Sequence, residues 1–202
     1  MTSPRTGLRH HWVALRAMLV LTAALGILYP LGVTVAGQFA LPWQANGSTV
    51  VSDGTVVGSA LIGQSFSDSD GAPHPEWFQP RPSAAGSGYD AGASSGSNWG
   101  PENPDLIAAI ADRRSAIAAF EGVDPADVPA DALTASASGL DPHISPAYAL
   151  LQVDRVAAER GLSATAVREL VESRIQGRDL GYLGEPTVNI LQLNEALNRL
   201  KG

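Results

Sequence analysis

Between Ala17 and Ala36 the chain runs for about 20 residues without a charge, the length a helix needs to cross the hydrocarbon core of a bilayer. Arg5, Arg9 and Arg16, with His10 and His11, precede the run, and no Lys or Arg follows it until Arg81. The positive-inside rule therefore predicts a short cytoplasmic N-terminus over 1–12, a transmembrane helix over 13–36 and an extracytoplasmic domain over 37–202. Pro30 lies inside the run and would break a helix in water, but a membrane helix tolerates one when a local adjustment or a neighbour covers the freed carbonyl. Gly26, Pro30 and Gly32 are accordingly candidates for close packing against a partner helix. Thr34-Val35-Ala36 has the small-x-small form of a signal cleavage site, but the apolar run is longer than a secretory core.

The remaining chain is one domain's worth, enough to bury a core without staples, and the absence of cysteine rules out disulfides, thiolate metal sites and a cysteine nucleophile. A formal charge of −7 argues against a nucleic-acid partner. Thr49-Val50-Val51 and Thr55-Val56-Val57 flank Ser52-Asp53-Gly54, which predicts a β-hairpin. From Ser67 to Pro104 Gly, Ser, Pro and Asp dominate and no period survives. Trp77, Phe78, Tyr89 and Trp99 within that stretch argue for an ordered loop, because disordered tracts are poor in aromatics.

Helices follow. Asn103-Pro104 opens one that Gly122 closes; Ser145-Pro146 opens a second, read as continuous to Gly161; Ser163 caps a third, ending at Gly177 with Leu162 and Val167 as a staple; and a fourth begins at Asn189 with Ile190, Leu193, Leu197 and Leu200 on one stripe. The predicted fold is α+β: one N-terminal transmembrane helix, then a domain with a small β-sheet, a long loop and several amphipathic helices.

Gly92-Ala93-Ser94-Ser95-Gly96 matches G-x-S-x-G, and Asp141 and His143 follow in the chain order of a hydrolase triad. A membrane-anchored envelope serine hydrolase is therefore the alternative reading. It lacks the hydrophobic strand and helix that a nucleophile elbow requires. His74 and His143 have no second ligand at metal spacing, and no G-x-x-x-x-G-K-[ST] phosphate cradle occurs. No catalytic or metal-binding residue is expected, and cofactor-binding residues stay unassigned. Arg81, between Pro80 and Pro82, is the first basic residue beyond the apolar run, and its restricted backbone suits a bidentate bond to a carboxylate or to loop carbonyls.

Tyr29-Pro30-Leu31, Pro42-Trp43-Gln44-Ala45-Asn46-Gly47-Ser48 and Gly58-Ser59-Ala60-Leu61-Ile62-Gly63-Gln64-Ser65-Phe66 resemble stretches of the KdpC family, the C subunits of bacterial high-affinity potassium-transporting ATPases. Further blocks follow in the family's order: Arg81-Pro82-Ser83-Ala84, Gly96-Ser97-Asn98, Thr134 to Asp141, Ile144-Ser145-Pro146, Arg155-Val156-Ala157 and Val188-Asn189-Ile190 with Leu193-Asn194. Ser95 departs from a usual glycine, and extra residues around Ser69 to Pro75 lengthen one loop.

The resemblance implies a non-catalytic accessory subunit of an ATP-driven potassium pump in the cell membrane. Its partners would be a potassium-selective A subunit, an ATP-hydrolysing B subunit, a small F peptide and membrane lipid. It also implies a role in assembly and as a catalytic chaperone that raises the ATP affinity of the B subunit, with ATP reaching this chain only through the complex. Arg81, Ser83, Ser97, Asn98, Asp141, Ser145, Arg155 and Asn189, all within the matching blocks, are the candidate structural or interface residues.

Overall fold

The computed structural model describes residues 4–200; Met1–Ser3 and Lys201–Gly202, at the outer ends of the predicted cytoplasmic segment and domain, lie outside the described residues, as does the Arg5 side chain. The chain divides between Ser48 and Thr49 into two units.

The first unit is helical. It comprises α1 (Pro4–Ala23), a π-helical turn (Ala24–Leu28), α2 (Tyr29–Ala40) and the single turn α3 (Pro42–Ala45). Leu8–Ala40 is a helical span that is strongly apolar beyond Arg16 and has no buried residue. The helix thus runs beyond the predicted 13–36 at both ends, to a length of roughly 50 Å at 1.5 Å per residue. That exceeds the roughly 30 Å hydrocarbon core of a bilayer, so the helix is long enough to cross one with tilt. Trp12 and Trp43, both exposed, sit near its two ends, where amphipathic rings favour the membrane interface. The π-turn stands immediately before Pro30, with the Tyr29 amide donating to the Ala24 carbonyl five residues back. This wider turn is the local adjustment that lets the proline ring continue the helix. The Thr34 hydroxyl then donates to the Pro30 carbonyl at 2.8 Å.

The second unit opens with the predicted hairpin, β1 (Thr49–Ser52) against β2 (Thr55–Ser59), with a register shift between Val50 and Val51. Asp53 and Gly54 both have positive φ (47° and 81°), the backbone a tight two-residue turn needs and the reason for Asp-Gly there. After the long loop come α4 (Pro104–Glu121), two 3-10 turns, β3 (His143–Ile144), α5 (Pro146–Leu151), α6 (Val153–Arg160), α7 (Ala164–Ser173), β4 (Ile175–Gln176), β5 (Thr187–Asn189) and α8 (Ile190–Arg199).

Four helix starts follow the predicted caps: Asn103 accepts from the amides of Asp105 and Leu106, Ser145 from Tyr148, Ser163 from Ala166, and Asn189 from Gln192. Two helix boundaries differ. The helix predicted from Ser145 to Gly161 is broken at Gln152, whose buried side chain is committed to another segment. The helix from Ser163 ends at Arg174 rather than Gly177, because Ile175 and Gln176 leave it to pair with Val188 and Thr187.

That pairing belongs to a three-stranded antiparallel sheet, β3-β5-β4, which strands of two or three residues leave invisible to pattern reading. Its central Val188 is fully buried. The core joins Val188 to Val167 and Val171 of α7, Val153 and Val156 of α6, and Ile190, Leu193 and Leu197 of α8, with Phe78 from the long loop. Burying each such side chain contributes about 1.5–3 kcal/mol. The core therefore forms on the C-terminal helices, and the loop is fastened onto it.

Candidate functional site

The loop from Phe66 to Pro104 has little regular structure, so its backbone polar groups must find partners elsewhere. Two buried amides supply them at consecutive residues. Asn194 of α8 accepts from the Phe78 amide and donates to the Phe78 carbonyl, both at 3.0 Å. Gln152 accepts from the Gln79 amide at 2.6 Å and donates to the Gln79 carbonyl at 3.1 Å. Each side chain stands in for a neighbouring strand. The Gln79 side chain in turn donates to the carbonyls of Phe66, His74 and Trp77.

Two arginines of α6 hold the residues just before these, Pro75 to Trp77. Arg155 pairs bidentately with Glu121 at the end of α4 (2.9 and 3.0 Å), lies over the Phe120 ring, and donates to the carbonyls of Pro75 and Trp77. Only 7% of the Arg155 side chain and 1% of the Glu121 side chain are exposed, so neither charge could stand alone here. Burial pushes the Glu121 pKa above the usual carboxylate value, and the Arg155 hydrogen bonds and charge pull against it. Arg160 donates to the Glu76 carbonyl and stacks 4.1 Å from the Trp77 ring centre.

Further along, Arg81 bonds Asp141 at 3.0 Å and the Thr134 carbonyl at 3.3 Å. Asp141 also accepts from the His143 amide and faces its ring nitrogen. Burial would raise the Asp141 pKa, but the His143 hydrogen bonds and the Arg81 charge outweigh it and hold the carboxyl below its usual value. The Tyr89 hydroxyl donates to the Arg81 carbonyl at 2.7 Å, and Ser83 donates to Gly139 while accepting from the amides of Ala85 and Tyr89. Burial, then the charge of Asp141, pushes the Tyr89 pKa up. Gly139 has φ 67°, and a Cβ there would meet Ser95 O at 2.6 Å and Ala85 N at 2.7 Å, so the loop closes on backbone that only glycine permits. Arg81, Ser83, Tyr89, Arg113, Phe120 and Tyr148 line a cleft of about 650 Å³ beside this clamp.

The remaining candidates fall in different places. Ser145 caps α5 and is gripped by both oxygens of Asp131 at 2.8 Å. Asn189 caps α8 and donates to the Ala60 carbonyl at 2.8 Å. Ser97 faces a smaller pocket with Ser83, Trp99 and Arg113, and Asn98 adopts a left-handed φ of 55°. Gly26, Pro30 and Gly32 belong to the helical unit, where a Cβ at Gly32 would meet nothing within 4 Å.

The alternative hydrolase does not form. The Ser94 hydroxyl donates to the Ser138 carbonyl at 3.0 Å, and among the described residues no hydrogen bond joins it to the His143 ring, whose partner is Asp141. A nucleophile needs its base within hydrogen-bond reach. The G-x-S-x-G match is a product of the Gly/Ser composition of the loop.

Sequence reasoning passed over Gln79, Gln152, Asn194, Glu121 and Tyr89. A signal existed for two of them. Asn194 lies on the stripe of Ile190, Leu193 and Leu197, and Gln152 lies between Leu151 and Val153. An amide on an apolar face marks a buried hydrogen-bonding duty.

The KdpC family profile, described as the c chain of K+-transporting ATPase, matches residues 11–199. A protein of Kineococcus radiotolerans is 55% identical over 190 residues, covering 94% of this chain and 93% of the relative. One of Methylococcus capsulatus is 51% identical over 195 residues (96% and 100%), and one of Mycobacterium tuberculosis is 51% identical over 189 (93% and 96%). Each of the three relatives is named a potassium-transporting ATPase KdpC subunit. With similarity that takes in both the apolar helix and the folded unit, the chain belongs to the KdpC family, the c chain of K+-transporting ATPases.

Proposed function

We propose that this protein is a non-catalytic subunit of a potassium-uptake pump, anchored by one helix with its N-terminus in the cytoplasm and residues 49–200 outside. The observation that carries the reading is the extent of the family match, which takes in residues 11–199 of the chain. Its partners in this reading are the potassium-selective A subunit, the ATP-hydrolysing B subunit and the small F peptide. The concentration of Arg9 and Arg16 before the apolar run supports the orientation.

In that orientation the folded unit and cytoplasmic ATP lie on opposite sides of the membrane. A chaperone effect on ATP affinity then acts through the partner subunits, as a coupling free energy between distant sites. A tenfold change in affinity corresponds to about 1.4 kcal/mol. The test is to purify the pump from cells with and without this chain and measure the KM for ATP and the potassium-stimulated hydrolysis rate. The expected outcome without the chain is loss of assembled complex, or a KM raised severalfold in what remains. Unchanged assembly and unchanged KM would overturn the proposal.

A further inference from the structure

Between β4 and β5 the chain forms a ten-residue loop whose tip presents Leu180, Tyr182 and Leu183 with 82%, 69% and 48% of their surface exposed. Elsewhere in the folded unit the exposed apolar residues come singly or in pairs, as with Trp99, Ile107, Val51 facing Val56 across the hairpin, and the adjacent Leu61 and Ile62, whereas here three fall within four residues. Single exposed apolar residues are ordinary; a cluster on a built protrusion is not.

The protrusion is fixed. Asp179 and Leu183 exchange two backbone hydrogen bonds at 2.9 Å, and the Tyr182 amide donates back to the Asp179 carbonyl at 3.2 Å. Below the tip, Arg178 and Glu185 pair across the loop at 2.5 Å. Leu180 and Gly181, the central residues of the turn, have φ of 52° and 82°. Asn, Asp or Gly usually fills the first of these positions, and leucine has no polar group to ease the left-handed backbone. Leu180 is thus unfavourable twice over within its own unit, in backbone conformation and in exposure. Backbone strain of this kind clusters at functional sites.

We infer that Leu180, Tyr182 and Leu183 form a preset anchor that inserts into an apolar socket on another protein subunit of the same membrane complex. This rests on the accessory-subunit reading above. A shaped protein socket, unlike a fluid lipid interface, selects one fixed backbone. Charge points the same way: Arg178 is neutralised by Glu185, leaving Asp179 as an acid beside the tip, which anionic headgroups would repel and a basic rim on a protein would welcome. A rigid aromatic and two aliphatic side chains on a fixed turn match the composition and preorganisation of an interface anchor.

The test uses the full chain co-expressed with the other pump subunits and extracted from membranes. Leu180→Asn suits the left-handed turn and removes the apolar group, so the variant should melt no lower than wild type while its retention in the purified complex falls at least fivefold. A photo-crosslinking amino acid at position 182 should attach to another pump subunit, identified by mass spectrometry. Unchanged retention of Leu180→Asn, a parallel fall in retention and melting temperature, or crosslinking to lipid only or to nothing would each overturn the anchor. If wild type itself copurifies with no pump subunit, the accessory-subunit reading falls too.

Discussion

Asn194 shows how much one side chain can carry. It lies on the buried face of α8 and satisfies both backbone groups of Phe78, whose ring is fully buried in the core. Asn194→Leu keeps the size and removes both bonds, leaving a buried N–H and C=O unpaired. The expected cost is about 2–4 kcal/mol, read from chemical denaturation of the chain in detergent. Asp141 offers a test by pH. Its folded pKa lies below the usual carboxylate value, so the stability it contributes is present above its unfolded value of 3.8 and is lost as pH falls through the lower folded value. Wild type should therefore exceed Asp141→Asn by on the order of 1–2 kcal/mol at neutral pH, and that advantage should shrink toward zero in acid. A difference independent of pH would remove the ionised Arg81–Asp141 pair as its cause.

At the scale of elements, the helical unit carries its own prediction. Gly26 and Gly32 have room for a side chain, the nearest atom to a Gly26 Cβ being a Thr22 methyl at 3.9 Å. Neither glycine is therefore required by its own helix; glycine is the poorer helix former, by about 0.8–1.0 kcal/mol relative to alanine, and leucine ranks close to alanine. If these positions admit a partner helix, Gly26→Leu and Gly32→Leu should weaken copurification with the other pump subunits while leaving membrane insertion intact; complete retention would reduce the helix to a tether. Elements with local signals were legible in the sequence. The hairpin at Asp53-Gly54 and the caps at Asn103, Ser145, Ser163 and Asn189 are set by residues within three or four positions of one another. The β3-β5-β4 sheet was not, because Ile144 and Val188 meet across 44 residues and each strand is too short to show a period. The loop clamp was half legible. The isolated Arg81 pointed to a carboxylate or to loop carbonyls, and it bonds one of each, but Arg155 reaches Pro75 across 80 residues, a pairing that only the packed helices determine.

At the scale of the whole molecule, the distribution of basic residues makes a claim that local structure does not touch. Arg9 and Arg16 lie in the first turns of the helix Leu8–Ala40, Arg5 precedes them, and no Lys or Arg follows before Arg81. Orientation follows the Lys/Arg count within about 15–20 residues of a membrane segment, so the imbalance here is as large as three such residues can make it. Fusing a reporter active only in the cytoplasm to the C-terminus should give no activity in intact cells, and one active only outside should give full activity. Replacing Arg5, Arg9 and Arg16 with Gln should then leave a mixed population with both reporters partly active. In the proposed orientation the folded unit crosses the membrane before its core forms, because the clamp that joins Phe78 and Gln79 to α8 and the α5–α6 junction closes only when the C-terminal helices are present. A molecule that inserts the wrong way would fold its second unit on the cytoplasmic side and lose any partner that waits outside. The mixed population should consequently show pump assembly reduced in proportion to the inverted fraction. Strong cytoplasmic reporter activity in the unmodified protein would overturn the orientation and, with it, the separation between the folded unit and ATP.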